Sequence, residues 1–175
     1  SPGSVQIYAT AYQKDLSSIV HPLMNQILDH CPAYLKPEFK QSYHGQEPAY
    51  YFQNGSIIRL VGIDANPDGL RGRFANGVTI SEAGFVRELE DVIVNILYPQ
   101  LQGDLNAVIM LNSTPPEELG HFYLKECIPD AKINNRYTKF TIDDNPLLSV
   151  SQREEFIAAA GGRDDDRCQR EYFCL

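Results

Sequence analysis

The sequence predicts an α/β sandwich built on a mainly parallel central sheet, and three observations carry that prediction. Short β-rich runs alternate with stretches of helical periodicity along the whole chain. Two of the runs, residues 78–82 and 106–113, are almost wholly apolar, the pattern of strands covered on both faces. The stretch between them is amphipathic, with Phe85, Leu89, Val92, Ile93, Ile96 and Leu97 on one side and Arg87, Glu88, Glu90 and Asp91 on the other.

The elements follow in order. "VQIYAT" at 5–10 reads as a strand. Residues 12–30 read as a helix, with Leu16, Ile19, Val20, Leu23, Met24, Ile27 and Leu28 at i, i+3 and i+4 spacing. Pro22 predicts a kink or break near His21, because proline removes a helical N–H. Residues 31–48 contain three prolines and read as loop. Residues 50–62 read as a hairpin about Asn54-Gly55, the strongest short turn signal. A polar, Gly-rich loop at 64–77 has room for at most one helical turn. Strand 78–82, a helix at 84–98 and strand 106–113 come next. A helix at 116–127, a strand at 136–142 and a helix at 151–160 complete the pattern, with Gly161-Gly162 as the last helix's stop. A final helix starts within Arg163 to Cys174. Ser1 to Ser4 read as a cloning scar, and the abrupt start on a strand at Val5 is expected of a piece of a longer protein.

Bulk properties bound the function. At 175 residues one domain with a real core is expected. The net charge of −8 gives no support for a nucleic-acid contact through global charge. Cys31, Cys127, Cys168 and Cys174 contain no CxxC pair, so free thiols are expected and zinc is not. No apolar run reaches 18 residues, so no membrane-spanning helix is expected.

Functional residues of a parallel sheet collect at the carboxyl ends of its strands. Two polar clusters fall there: Ser81-Glu82, and Asn112-Ser113-Thr114. Glu82 has two readings, a catalytic carboxylate beside a nucleotide or an acid near the N-terminus of the following helix. Asn112 to Pro115 read as sensors of a phosphate or a bound water, as an N-cap for the helix at 116–127, or as both. Arg71, on the Gly-flanked "GLRGR", reads as a phosphate ligand or a solvated loop arginine. Asp143-Asp144 reads as a metal pair or an Asx turn. "RDDDRCQRE" reads as a solvated helix face. The four scattered histidines carry no assignment. A phosphate-binding loop needs G-x-x-x-x-G-K-[ST] running into a helix. Only residues 72–79 have the glycine spacing. Val78 stands where the Lys belongs and the run enters a strand, so the sequence contains no such loop.

The order of these pieces resembles the large terminase subunit of tailed bacteriophages. It runs from the "YAT" strand through the "FQNGSIIRLVG" hairpin, "GLRGR" and an apolar strand ending in Glu to "LNSTP", "DNP" and a terminal "REY". The resemblance covers nearly the whole chain from Gln6 and implies an ATPase that drives viral DNA into the procapsid. It implies a P-loop NTPase-like sandwich of the helicase-like, additional-strand class, here without its first strand and Walker A loop. Residues 5–175 would then be a partial ATPase domain. Residues 77–82 match the Walker B segment, with Glu82 as catalytic carboxylate. Ser113 and Thr114, after Asn112, match the coupling motif, and Arg71 matches the position of an arginine finger. Ser81 stands where the family has Asp, leaving a hydroxyl to contact a magnesium-bound water. The implied cofactors are magnesium and ATP in the parent protein, with neither held tightly by these residues alone. The implied partners are double-stranded viral DNA, the portal protein, the small terminase subunit and further copies in a ring. No membrane is implied, and the implied location is the host cytoplasm, transiently at the procapsid. A degenerate assembly module and a superfamily 2 helicase fragment are the alternative readings. With the first strand and its helix missing, an exposed sheet edge and self-association are expected.

Overall fold

The computed structural model describes residues 2–41, 48–64, 67–71 and 74–175. It divides into two compact units, Ser1–Ser113 and Thr114–Leu175. No Gly/Ser-rich stretch marks that boundary in the sequence.

The first unit is built on one six-stranded sheet. Its strands are β1 (Val5–Thr10), β2 (Glu38–Lys40), β3 (Ala49–Tyr51), β4 (Ile57–Gly62), β5 (Gly77–Ser81) and β6 (Val108–Asn112). Their order is β2-β3-β4-β1-β5-β6. β4, β1, β5 and β6 run parallel, and β3 and β2 extend the sheet antiparallel. The mainly parallel sheet is therefore as expected. β1 lies near the middle, with Val5 opposite Ile57 on one side and Gln6 opposite Gly77 on the other. The hairpin also forms as read, with Gly55 at φ +81° in its turn.

Several expectations about this unit need correction. β2 lies inside the stretch read as loop; its three residues become a strand only by pairing with β3. β6 was expected to be covered on both faces. It is an edge strand instead, with Val108 62% and Met110 56% exposed. The amphipathic helix begins at Leu89 rather than at 84 and runs to 101 (α2), after a separate 3-10 turn at Ala83–Phe85. Phe85 therefore lies outside its apolar face and is exposed.

The helix after β1 (α1, residues 13–29) runs through Pro22 without a break. A π-helical segment, Leu16–Val20, ends just before it, and His21 N–H bonds to Leu16 O, five residues back. The wider turn gives the proline ring room where a regular turn would crowd it. The same arrangement recurs at Val92–Leu97 before Pro99 and at Tyr123–Cys127 before Pro129. Only part of the predicted apolar face of α1 packs on the sheet. Leu16 and Val20 join Tyr50 and Leu60, with Met24 and Leu28 beside them, while Ile19, Leu23 and Ile27 face outward. The start of α1 is pinned to the end of β4. Gln13 N–H donates to Asp64 Oδ1 at 2.7 Å, and Gly62 N–H donates to Gln13 Oε1 at 3.0 Å. A Cβ at Gly62 would come within 2.3 Å of Gln13 Cα, so the site admits only glycine.

The second unit is helical. α3 (residues 122–133) begins about six residues later than read, beyond Pro115-Pro116. Residues 136–140 form no ladder, so the predicted strand at 136–142 is absent. Ile142–Asp144 is instead a 3-10 turn, closed by a capping box from Thr141. α4 (Val150–Ala159) starts on a Ser149–Gln152 capping box. It stops where Gly161 and Gly162 take φ of +99° and +95°. Gly162 N–H returns to Ile157 O at 2.9 Å, which satisfies a terminal carbonyl. α5 (Asp166–Phe173) is capped by Asp165. Ile142, Ile157 and Cys168 form the small core.

Candidate active site

Parallel strands in register bring their last residues into one row. Gly62 pairs with Thr10, Thr10 with Ser81, and Ser81 with Asn112. Glu82 and Ser113 are the next residues of their chains. The sheet thus places Ser81-Glu82 and Asn112-Ser113 side by side at its carboxyl end, where ligands of such sheets bind. Thr10 is a member that sequence reasoning missed. It is buried, and its Oγ1 donates to Tyr12 O at 2.9 Å. The signal was there, because "YAT" ends in a hydroxyl as "TIS" does.

Glu82 takes φ 57° and ψ 43°, left-handed backbone that costs a residue with a Cβ about 1–2 kcal/mol. The chain leaves β5 through this residue into the 3-10 turn, and Phe85 N–H bonds to Glu82 O at 3.0 Å. Ser113 supports the turn from the next strand. Its Oγ accepts the Gly84 N–H at 3.0 Å and donates to Glu82 Oε2 at 3.4 Å. Gly84 is buried, so this contact satisfies a backbone donor that water does not reach. The reading of Glu82 as an acid at the next helix's start loses its basis, because α2 begins at Leu89. The N-cap reading of Asn112 to Pro115 fails for the same kind of reason, since α3 starts near 122. Asn112 is exposed, and Thr114 opens the second unit.

Arg71 is half exposed, and its Nη2 lies 3.9 Å from Asp91 Oδ2 on α2. Asp91 also accepts the Asn95 amide at 2.7 Å. Arg71 borders a groove of about 500 Å³ with Phe74, Ile96, Pro99, Gln100 and Gly103. Gly72 and Arg73, which open the glycine-spaced run at 72–79, lie outside the described residues, as does His44.

The other candidates have structural employment. Asp143 pairs with Arg163 at 3.4 Å, and Asp144 accepts both the Thr141 N–H and its hydroxyl at 2.7 Å. Those bonds, the side-chain one foremost, hold the Asp144 carboxyl below the usual range. His21 Nδ1 meets Tyr50 Oη at 2.5 Å, and His121 Nδ1 accepts the Tyr123 N–H at 3.2 Å. Burial first, then Asp130 and Glu126, pushes the Cys127 thiol up to about 11, which removes it as a nucleophile near neutral pH. Among the described residues no cluster of three or more His, Cys, Asp or Glu forms. Ser81, Glu82 and Ser113 offer one carboxylate and two hydroxyls. Those groups fit the water-facing side of an ATP site, and the phosphate cradle has no counterpart in the sequence.

The sequence matches no family model and no curated protein. The fold does have solved counterparts: the chain has the P-loop NTPase-like fold of large terminases. The large terminase of a thermophilic bacteriophage aligns over 100% of this chain at 18% identity, with a TM-score of 0.78. The same protein in complex with ADP aligns equally far at 19% identity and a TM-score of 0.75. The Thermus phage P74-26 large terminase ATPase domain covers 99% of this chain at 20% identity, with a TM-score of 0.66. This chain spans 41% of the length of the first structure and 76% of the P74-26 domain. No helix among the described residues is long and apolar enough to cross a membrane.

Proposed function

We propose that this chain is the hydrolytic part of a large-terminase ATPase domain, which powers movement of double-stranded viral DNA into a procapsid. The observation that carries the reading is the strained Glu82 turn at the carboxyl end of β5, braced by Ser113 at the end of β6. Asn135 and Cys174 take the same backbone where it closes a helix; Glu82 takes it at the end of a strand, and strained residues of that kind cluster at active sites. The shared fold, and the ADP held by one protein of that fold, support a nucleotide as ligand.

In this reading Glu82 orients a water toward the γ-phosphorus of ATP and accepts its proton as the bond to the β-phosphate oxygen breaks. Ser113 and Asn112 report the state of the γ-phosphate to the rest of the domain. Arg71 serves the site of a neighbouring copy in a ring. Residues outside these 175 supply the phosphate-binding loop. Magnesium, when bound, neutralises charge on the phosphates, with Ser81 reaching it through a water. The portal protein and small terminase subunit are the partners of that assembly, in the host cytoplasm.

Glu82→Gln in the full-length protein tests the reading. ATP turnover should fall on the order of 10²–10⁴-fold while nucleotide binding persists. Turnover that survives the substitution removes Glu82 from the base role. A wild-type protein that binds no ATP favours the degenerate assembly module instead.

A further inference from the structure

We propose that Asp91 is a positioning residue for Arg71, holding the guanidinium in the direction from which it acts on ATP. The inference rests on the role of Arg71 at a neighbouring copy's site and adds a second residue to it. Arg71 directly follows the 3-10 turn Pro67–Leu70. Leu70 is fully buried, so the backbone is anchored one residue before the arginine. Beyond that anchor the side chain is half exposed on a flexible stem. An anchored backbone does not aim such a side chain; a group at its far end must.

Asp91 stands where such a group is needed. It lies in the first turn of α2, between the buried Leu89 and Val92, so its backbone is locked to the core. Its two oxygens have separate tasks. Oδ1 accepts the Asn95 amide at 2.7 Å, one helical turn further on, and Oδ2 faces Arg71 Nη2 at 3.9 Å. A carboxylate loose at both oxygens would follow the guanidinium as it moves. One tied to its own helix gives the guanidinium a fixed point. A guanidinium carries five N–H donors, so a carboxylate at one nitrogen does not exhaust its capacity for a phosphate oxygen.

Folding stability gives this pair little purpose. Both side chains are about half exposed, and ion pairs at that exposure contribute little to the folded state. Nor does the helix depend on Asp91 for a charge at its amino end, since Glu90 lies in the same turn. Turnover is more sensitive, because a misplacement of about 1 Å in a group that meets the transition state is felt strongly in the rate.

Steady-state ATP turnover by the full-length protein tests this. Arg71→Ala should lower kcat about 10³-fold or more, the scale of an arginine that stabilises the transition state. Asp91→Ala should lower kcat on the order of 10–100-fold with KM little changed, because Arg71 keeps its charge and loses its aim. Asn95→Ala should cause a smaller loss of the same kind, and Asp91→Glu should recover most of what Asp91→Ala loses. Added to Arg71→Ala, Asp91→Ala should cost nothing further, since the carboxylate acts only through the guanidinium. The thermal melt of Asp91→Ala should stay close to that of the wild type. Wild-type kcat in Asp91→Ala overturns the proposal. So does a loss that adds in full to that of Arg71→Ala, which is how a structural defect would behave. A kcat above wild type overturns it equally, because Asp91 would then restrain the arginine. Wild-type turnover in Arg71→Ala is a different failure: it removes Arg71 from the site, and the proposal falls with it.

Discussion

β5 and β6 end in opposite ways. At their amino ends the polar groups near the turn answer one another. Asn76 accepts the Val5 N–H at 2.8 Å and returns its own N–H to Val5 O at 2.8 Å. The Asn76 amide donates to Asp104 Oδ2 at 2.8 Å, and Asp104 Oδ1 accepts the Asn106 N–H at 2.9 Å. At the carboxyl ends Glu82 sits in left-handed backbone, held by a long 3.4 Å contact from Ser113. One end secures the register of β1, β5 and β6, and the other holds a carboxylate on strained backbone. Asn135 and Cys174 are also left-handed, but at helix ends, whereas Glu82 is so at the end of a strand.

Substitutions at both ends can break or sharpen that contrast. The largest effect is expected from Asn76→Ala, which removes the acceptor of the Val5 N–H and one of the two donors to the Asp104 carboxylate. Urea denaturation should show a loss of about 1–3 kcal/mol. A loss no larger than a few tenths would mean that the amino end secures nothing. Glu82→Gly should act in the other direction. Relief of about 1–2 kcal/mol of backbone strain, less the added freedom of glycine in the unfolded chain, leaves a gain of about 0.5–1 kcal/mol. A destabilised Glu82→Gly protein would show that the turn is not strained at that residue. The smallest effect concerns pH. The Asn76 amide first, then the Asn106 N–H, hold the Asp104 carboxyl below its ordinary value. Its contribution to stability is therefore complete above the unfolded carboxylate pKa of about 4 and fades as pH falls through the lower folded value. Acid titration of Asp104→Asn should lack that part of the slope, so the gap between it and wild type should close toward low pH. A gap that stays constant across that window would detach Asp104 from the pH response.

Much of this contrast was legible in the residues. β1 and the Asn54-Gly55 hairpin follow from β-rich runs and a strong turn signal, and the Gly161-Gly162 stop from glycine's access to positive φ. That Glu82 and Ser113 lie together was legible because parallel strands deliver their end residues to one place. The left-handed turn and the buried Gly84 donor were not legible, because φ depends on what the next strand offers. Residues 136–140 have strand-forming side chains and no neighbour to pair with, and β2 has weak propensity and a partner. Propensity yielded to pairing in both cases. β6 shows the converse: its composition is that of a central strand, and its exposure that of an edge. The opposite edge, β2, is short and carries Glu38 and Lys40, the charged form that resists further pairing.

The central place of β1 has a kinetic meaning. Its two neighbours arrive late, since Val5 pairs with Ile57 and Gln6 with Gly77. The closing loops are long, and parallel pairing offers no local hairpin to nucleate it. A nascent chain must therefore keep "VQIYAT" unpaired until Gly62 has been made and paired on one side only until Ser81 has been made, and helix α1 forms before the sheet it will cover. Refolding from denaturant should be slow for a unit of this size and should compete with aggregation through that waiting strand.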